Sequence, residues 1–448
     1  MIANPVMIAK RRTGLKAATA IMLILVTGAA HAQVAQPVSV PDLTQPVQAP
    51  EFVSVGQRSH PEYDSPGLHM GGFIANPSLD IGEEFNSNIY GLPVVKSDFI
   101  TQISPAVDVT SNWNSDAFGF HAESDIDKHA HFTADDTTNA IVQANGRLDI
   151  FHDQTLSLGL GYQALHEDRS SPDSIAQAQE AGSGSFARNP TPFAVTTGQF
   201  DYVYAPSRIG LELLGDANAY DFSNVRTLDN SLEINSDQNR VEYTLTPRVS
   251  YTFNANYKAF FQVSGDIRSY DTSRDATPEH YKRSSTGYNI DVGNVFDIDR
   301  VITGQFYVGY QTQDYDDPRL SNISGVSFGA SVLWNVTQLT SIKLSGSRST
   351  QETILQGASG VFDTTAEVSV EHEILRNIVI SLGATFDDAA YQGVKQTDDT
   401  YGINASVRWK INRYLTAGAT VDYTKRSSNV GIDRFDRNQV VIDIKGQF

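Results

Sequence analysis

The side chains best placed to do chemistry in this chain are charged residues that recur at every second position. Arg240, Glu242 and Arg248 share one parity, as do Lys258, Asp266 and Arg268 in the next segment. Glu212, Asp291 and Arg408 occupy the same kind of position, with Arg147, Asp149, Lys343, Glu367, Glu371, Lys410, Asp443 and Lys445. Residues two apart on a strand lie on one face. A face with both signs can line an aqueous passage and select solutes by charge, or it can pair with itself into a ladder that stiffens the wall. The spacing is compatible with both. Arg240, Arg248 and Arg268, with Glu242 and Asp266 beside them, are the tightest candidate cluster.

Other chemistries find weaker support. The chain has no cysteine, which removes thiol catalysis, disulfides and thiolate-bound metals. His129 and His131 share a parity near Asp125 and Asp127, but a metal site needs three or four converging ligands, so no metal is assigned. Asp314, Asp316 and Asp317 read as solvated loop acids rather than a calcium loop. A lipid-processing barrel needs a Ser, a His and an acid on one outward patch. His121 points inward and His372 sits beside a turn, so the chain reads as a non-enzyme. Glycines such as Gly304 and Gly309 precede no helix, so no nucleotide-binding loop is expected, and no cofactor is.

The elements that must carry the charged face are strands. Val241, Tyr243, Leu245, Val249 and Tyr251 alternate with Arg240, Glu242, Thr244, Arg248 and Ser250. The same period runs through Leu156–Tyr162, Phe306–Tyr310, Val326–Trp334 and Tyr401–Trp409. A soluble sandwich also alternates, so loop lengths decide. About eighteen strands (sixteen as the alternative) can be marked from residue 77 to 448. Links after even strands are short, as at His152–Asp153, Pro206, Asn254 and Asn412–Arg413. Links after odd strands are longer and polar, as at 167–194, 223–237, 272–283 and 351–360. Short turns at one rim and long loops at the other define a transmembrane antiparallel up-and-down β-barrel. Its inner rim is periplasmic and its outer rim external. Trp113, Phe151, Tyr251, Phe253, Tyr257, Trp334, Trp409 and Tyr414 cluster by the short turns as an interfacial girdle. The longest loop, 167–194, reads as an external loop with a helical core at Ser174–Ala181; folding into the mouth is the alternative. Most of the tyrosines are assigned to lipid or girdle, with Tyr307 inward.

Lys10, Arg11, Arg12 and Lys16 precede a short apolar run, Ala17–Ala30, and Ala30-His31-Ala32 is a cleavage signal. Fourteen apolar residues fall short of the roughly 20 that span a bilayer, so residues 1–32 read as a signal peptide cleaved after Ala32. Six prolines punctuate 33–66, an extended periplasmic segment. Residues 67–448 form the barrel. The mean hydropathy of −0.28 disguises a membrane protein because only alternate residues meet lipid. A net charge of −19 without a basic run excludes nucleic-acid binding. The surface acids suit the divalent-rich lipopolysaccharide leaflet.

Gly71-Gly72-Phe73, then Asn76-Pro77-Ser78-Leu79-Asp80 and Glu84-Phe85-Asn86-Ser87-Asn88-Ile89-Tyr90, resemble the opening motif of the "putative β-barrel porin 2" family, with Phe85 at a position usually tyrosine. Strand ends at Tyr220-Asp221, Tyr270-Asp271 and Tyr315-Asp316-Asp317 are similar to that family too. The resemblance extends over about residues 60–448 and brings no catalytic residues. Members often sit beside exopolysaccharide-export genes, which implies an outer-membrane channel for polysaccharide and periplasmic export components as partners. The terminal Phe448 on an alternating last strand resembles the signal read by the barrel-assembly machinery. A diffusion porin for small solutes, a structural barrel closed by its loops, and a barrel enzyme are the other readings. The Pro-rich segment favours export, since an exporter must meet a periplasmic partner.

Overall fold

The structure is a computed structural model that describes residues 53–175 and 187–448. The expected signal peptide, most of the Pro-rich segment and the middle of 167–194 lie outside the described residues.

Eighteen long strands make the barrel. They are β1 Phe73–Asn86, β2 Asp98–Ser111, β3 Ala117–His129, β4 Thr137–Phe151, β5 Gln154–His166 and β6 Pro192–Tyr204. Next come β7 Ile209–Phe222, β8 Arg240–Asn254, β9 Tyr257–Tyr270, β10 Ser285–Ile298, β11 Ile302–Tyr315 and β12 Ile323–Thr337. The last six are β13 Thr340–Gln351, β14 Gly360–Leu375, β15 Ile378–Gln392, β16 Thr397–Lys410, β17 Leu415–Ser428 and β18 Phe435–Gln447. Each pairs antiparallel with its sequence neighbours, and β18 closes on β1 with Ile444 opposite Ile81. The expected all-β barrel and strand number are therefore what the chain forms. The first strand starts at Phe73 rather than 77. It is preceded by a ribbon, Leu68–Met70, that doubles back onto it with Met70 opposite Phe73. Gly71 turns that ribbon at φ 63°, a conformation open to glycine at no steric cost. This is the physical content of the Gly-Gly-Phe motif.

The alternation is realised as two faces. Leu160, Val421, Ile403 and Ile442 are more than half exposed on the outside, which is acceptable only in lipid. The girdle residues Trp113, Phe151, Phe253, Trp409 and Tyr414 are likewise exposed at the short-turn rim. There Tyr414 packs on Phe448 with ring centroids 5.4 Å apart. The expected turn residue Asn254 belongs to β8, and β10 runs to Ile298, so that Asp299 and Arg300 make the next bend with φ of 51° and 59°. Two successive positive φ angles are the hairpin geometry usually flagged by Asn-Gly, and Asp-Arg gives no such flag.

Close-packed apolar clusters lie at the long-loop rim, not along the barrel axis. One joins Phe193, Val195, Tyr220 and Phe222. A second joins Tyr281, Tyr315, Leu320, Ile323 and Phe362. A third joins Ala358, Val361 and Tyr391. Fully burying a Val or Ile side chain contributes about 1.5–3 kcal/mol, so Val195 and Ile323 alone give this rim real stiffness.

The two faces predict opposite responses to one charge. Ile403→Arg on the lipid face should destabilise folding into lipid by roughly 2–4 kcal/mol. Ser345→Arg, on the lumen side next to Glu367, should shift stability by less than about 1 kcal/mol. Denaturant titration of refolding into vesicles reads both; equal effects would contradict the facing.

Candidate functional site

The expected lumen residues fall into separate groups. On β7–β10 Arg248 donates to both carboxylate oxygens of Glu212 at 3.1 and 3.2 Å and to Gln262 at 2.9 Å. Gln262 donates to Asp291 at 3.0 Å, and Ser327 donates to the other Asp291 oxygen at 2.6 Å. Nearer the outer rim Arg240 bonds Glu242 at 2.7 Å, and its guanidinium lies 4.2 Å from the Tyr220 ring centre. Arg268 bonds Asp266 at 3.2 Å and reaches Glu352 of the loop after β13. Seven of the eight candidates thus share two paired layers. Arg408 does not join them. It sits on β16, almost across the ring, where Gly418 separates it from Asp443. The Asp443 carboxylate lies over Gly418, 2.3 Å from where a Cβ would stand, so a larger residue there would displace it.

At the short-turn rim Lys343 pairs with Glu371 at 2.7 Å. Here the chain ahead of the barrel lies against the inside of the rim. Val55 N donates to Ser341 at 2.9 Å and Gly56 N donates to Glu371 at 2.8 Å. Arg58 donates to the Gln338 carbonyl, and His60 lies 3.3 Å from Glu373. Asp64 then bonds Lys410 at 2.8 Å on β16. Ser54 and Val55 are fully buried. The described part of the Pro-rich segment is therefore a strap that runs along one arc of the inner rim, from β13 to β16.

The outer mouth overturns the external-loop expectation for 167–194. The residues described after β5 fold inward and tie to the far wall. Arg426 of β17 donates to the Ser170 carbonyl at 2.6 Å, and Thr353 donates to Asp173 at 2.7 Å. Arg169 pairs with Asp135 at 2.6 Å, and Tyr90 donates to the same carboxylate at 2.9 Å. Ile175 is wholly buried. The described helical turn spans 172–175, so it includes only Ser174 and Ile175 of the expected Ser174–Ala181 helix, whose remainder lies outside the described residues. Arg283 binds Asp275 at 2.7 Å and the carbonyls of Thr353 and Ala358 at 2.8 and 3.1 Å, knitting the loops after β9 and β13. An inward loop satisfies its polar groups on these arginines, which an external loop would leave to water.

Between loop 167–175 and the walls lies a cavity of about 1090 Å³, counting its open side. Tyr220, Tyr270, Phe193 and Tyr391 line it, with acids from five segments. Burial, aided by Asp173 nearby, pushes the Glu167 carboxyl up to about 8. Burial also raises Asp173, against its bond from Thr353.

The remaining expectations can be placed. His131 bonds Asp98 at 2.8 Å while His129 lies 3.8 Å from Asp136, so the two histidines do not share a centre. His121 points inward and bonds Asp108 at 2.8 Å. Asp317 is buried and clamped by Arg319 at 2.6 Å, correcting the solvated reading for that acid. Tyrosines such as Tyr243, Tyr288, Tyr310, Tyr401 and Tyr414 are exposed on the lipid face or girdle as expected, while Tyr220, Tyr315 and Tyr391 are exceptions buried around the mouth. Sequence reasoning missed Asp173, Glu352, Arg283 and Arg426, which come from loops or strand tops. The Tyr-Asp strand ends were the available signal, since Tyr220, Tyr270 and Tyr315 all have inward parity.

A closed eighteen-strand ring with a charged lumen and folded loops is the architecture of an outer-membrane channel protein. The model of the family described as "Putative beta-barrel porin 2" matches residues 60–448, so the chain belongs to that family. No curated protein matches it. Among solved structures it is similar to Pseudomonas aeruginosa OpdK with vanillate at 9% identity, covering 84% of this chain and 99% of that one with a TM-score of 0.42. OccK2 of the same organism in complex with glucuronate shares 11% identity over 85% of this chain and 100% of its own, TM-score 0.43. The ferric citrate transporter FecA shares 10% identity over 78% and 60%, TM-score 0.39.

Glu167 gives a pH prediction with a definite sign. Its carboxyl is raised in the folded loop, so its share of docking stability is complete below the usual carboxylate range. That share fades as pH rises through about 8. Hydrogen exchange of residues 167–175 should therefore quicken between pH 6 and 9 beyond the intrinsic base dependence, and Glu167→Gln should remove the excess. An unchanged excess in the variant would assign the effect elsewhere.

Proposed function

We propose that this protein is a constricted outer-membrane channel whose two openings are narrowed by different segments of its own chain. The observation that carries this is the pair of closures: loop 167–175 tied to Thr353 and Arg426 outside, and strap 54–64 tied to Glu371 and Lys410 inside. A barrel of this strand number encloses a lumen wider than its side chains fill, so closures of this kind set what passes. A general diffusion porin has no use for a second, inner strap. A barrel serving only as structure has no use for a charged, hydrated wall.

The finer reading is export of a polysaccharide. Two features support it. The strap itself lies at the inner opening, where a periplasmic export component would deliver a polymer. The mouth also combines aromatic rings with hydrogen-bonding acids and arginines, the mix that binds sugar rings. The lumen charges at Arg240, Glu242, Arg248, Asp266, Arg268, Glu212, Asp291 and Arg408 would then tune ionic passage. Barrel assembly through Phe448, and removal of residues 1–32, belong to the same reading.

Planar-bilayer conductance of the refolded chain from residue 33 tests the channel. Low conductance that rises several-fold on deleting 170–190, and rises further on removing 53–66, is the expected result. Conductance that stays at baseline with both segments deleted would sink it. Arg248→Ala should change the cation-to-anion permeability ratio, whereas Arg408→Ala, on the other wall, should change it independently.

A further inference from the structure

The mouth cavity contains buried polar atoms that the protein itself does not satisfy. Glu167 Oε2, Asp363 Oδ1, Asp398 Oδ1 and Gln238 Nε2 are shut off from solvent and make no hydrogen bond, and all four residues line this one space. Asp398 is 2% exposed and Gln238 6%. Buried polar groups are otherwise paired in folded proteins, and an unpaired one needs an occupant or a reason. Three of these atoms are carboxyl oxygens, able to accept, and the fourth is an amide nitrogen, which only donates.

The local charge is lopsided as well. Arg240 is engaged by Glu242 and the Tyr220 ring, and Arg426 by the Ser170 carbonyl. Asp173 accepts from Thr353. Asp363 and Asp387 sit together on β14 and β15, and Asp398 has its other oxygen bonded by Gln396. No lysine or arginine in this space is paired with Asp363 or Asp398 among the described residues. Aromatic rings of Tyr220, Tyr270 and Tyr391 form apolar patches between the acids.

From this pattern we infer that the mouth cavity is a binding site for a protonated amine carried on a hydroxylated ring, the chemistry of an amino sugar. The ammonium supplies N–H donors to the Asp363 and Asp398 oxygens, a ring hydroxyl donates to Glu167, and a ring oxygen accepts from Gln238. The ring face packs on tyrosine. A neutral sugar of the same shape leaves the acids uncompensated, and an anionic one is repelled. The inference deepens the proposed function by naming the solute chemistry, and it rests on that reading only for passage, not for binding.

Ligand-observed NMR on the detergent-refolded chain tests it with glucosamine, N-acetylglucosamine and glucose, which differ in the charge and not the ring. Glucosamine should bind, with the other two at least about tenfold weaker. The Asp363→Asn, Asp398→Asn double variant should abolish the preference while keeping the heat-modifiable gel shift of a closed barrel. Equal binding of all three, or a preference untouched in the folded double variant, would overturn the inference. If that variant does not fold, Gln238→Leu replaces it: weakened glucosamine binding supports the site, and unchanged binding overturns it. Binding without conductance in the bilayer would retain this site and discard the channel, whereas conductance without binding would do the reverse.

Discussion

Everything in this molecule depends on satisfying the backbone where no water can reach it. In hydrocarbon an unpaired N–H or C=O costs several kcal/mol, so a sheet can cross only if it has no edge. The pairing of β18 with β1, running from Ser78–Gln447 to Asn86–Gln439, removes the last edge. Once the ring is closed, alternation has a fixed meaning. One parity must be apolar for lipid, and the other is released from that demand and can carry charge.

That release creates the second problem, a wide polar bore lined with acids and bases. Much of the wall answers it by self-pairing, as Arg248 does with Glu212 and Gln262. Breaking one partner of such a buried pair is costlier than never having had it, because the survivor is left uncompensated. The ladders therefore act as rigid struts wherever they are complete. The mouth differs. There Arg240, Arg268 and Arg283 are spent on Glu242, Glu352 and Asp275, and Asp363 and Asp398 each keep one oxygen without a hydrogen bond. Wall stiffness and ligand capacity are thus placed at different heights of one barrel.

Legibility followed the same division. Fold, strand number and inward parity were readable because lipid enforces a period of two over every strand, and Arg240, Arg248 and Arg268 lie on the face assigned to them. Arg408 had the right parity, but its distance from the others follows from counting strands around the ring. The inward course of the loop after β5 left no trace in local composition. Ser, Ala and Gln suit both water and a narrow mouth, and the partners that pull it in, Thr353 and Arg426, are remote in sequence. Tyr220, Tyr270 and Tyr315 were visible as a recurring strand end. Their meaning needed the third dimension, since only there do their inward rings meet loops.

The two closures are built from different materials, and the difference bears on how each could move. The inner strap is held largely by backbone amides and a few ion pairs near water, at Gly56–Glu371 and Asp64–Lys410. Exposed or half-exposed pairs of this kind are individually weak, typically under about 1 kcal/mol. The outer loop is held by buried bonds, Arg426 to the Ser170 carbonyl, Thr353 to Asp173 and Arg169 to Asp135, around the wholly buried Ile175, and contacts of this kind give way together. Opening the inner end therefore requires peeling a strap contact by contact, while opening the outer end requires a cooperative release of the loop.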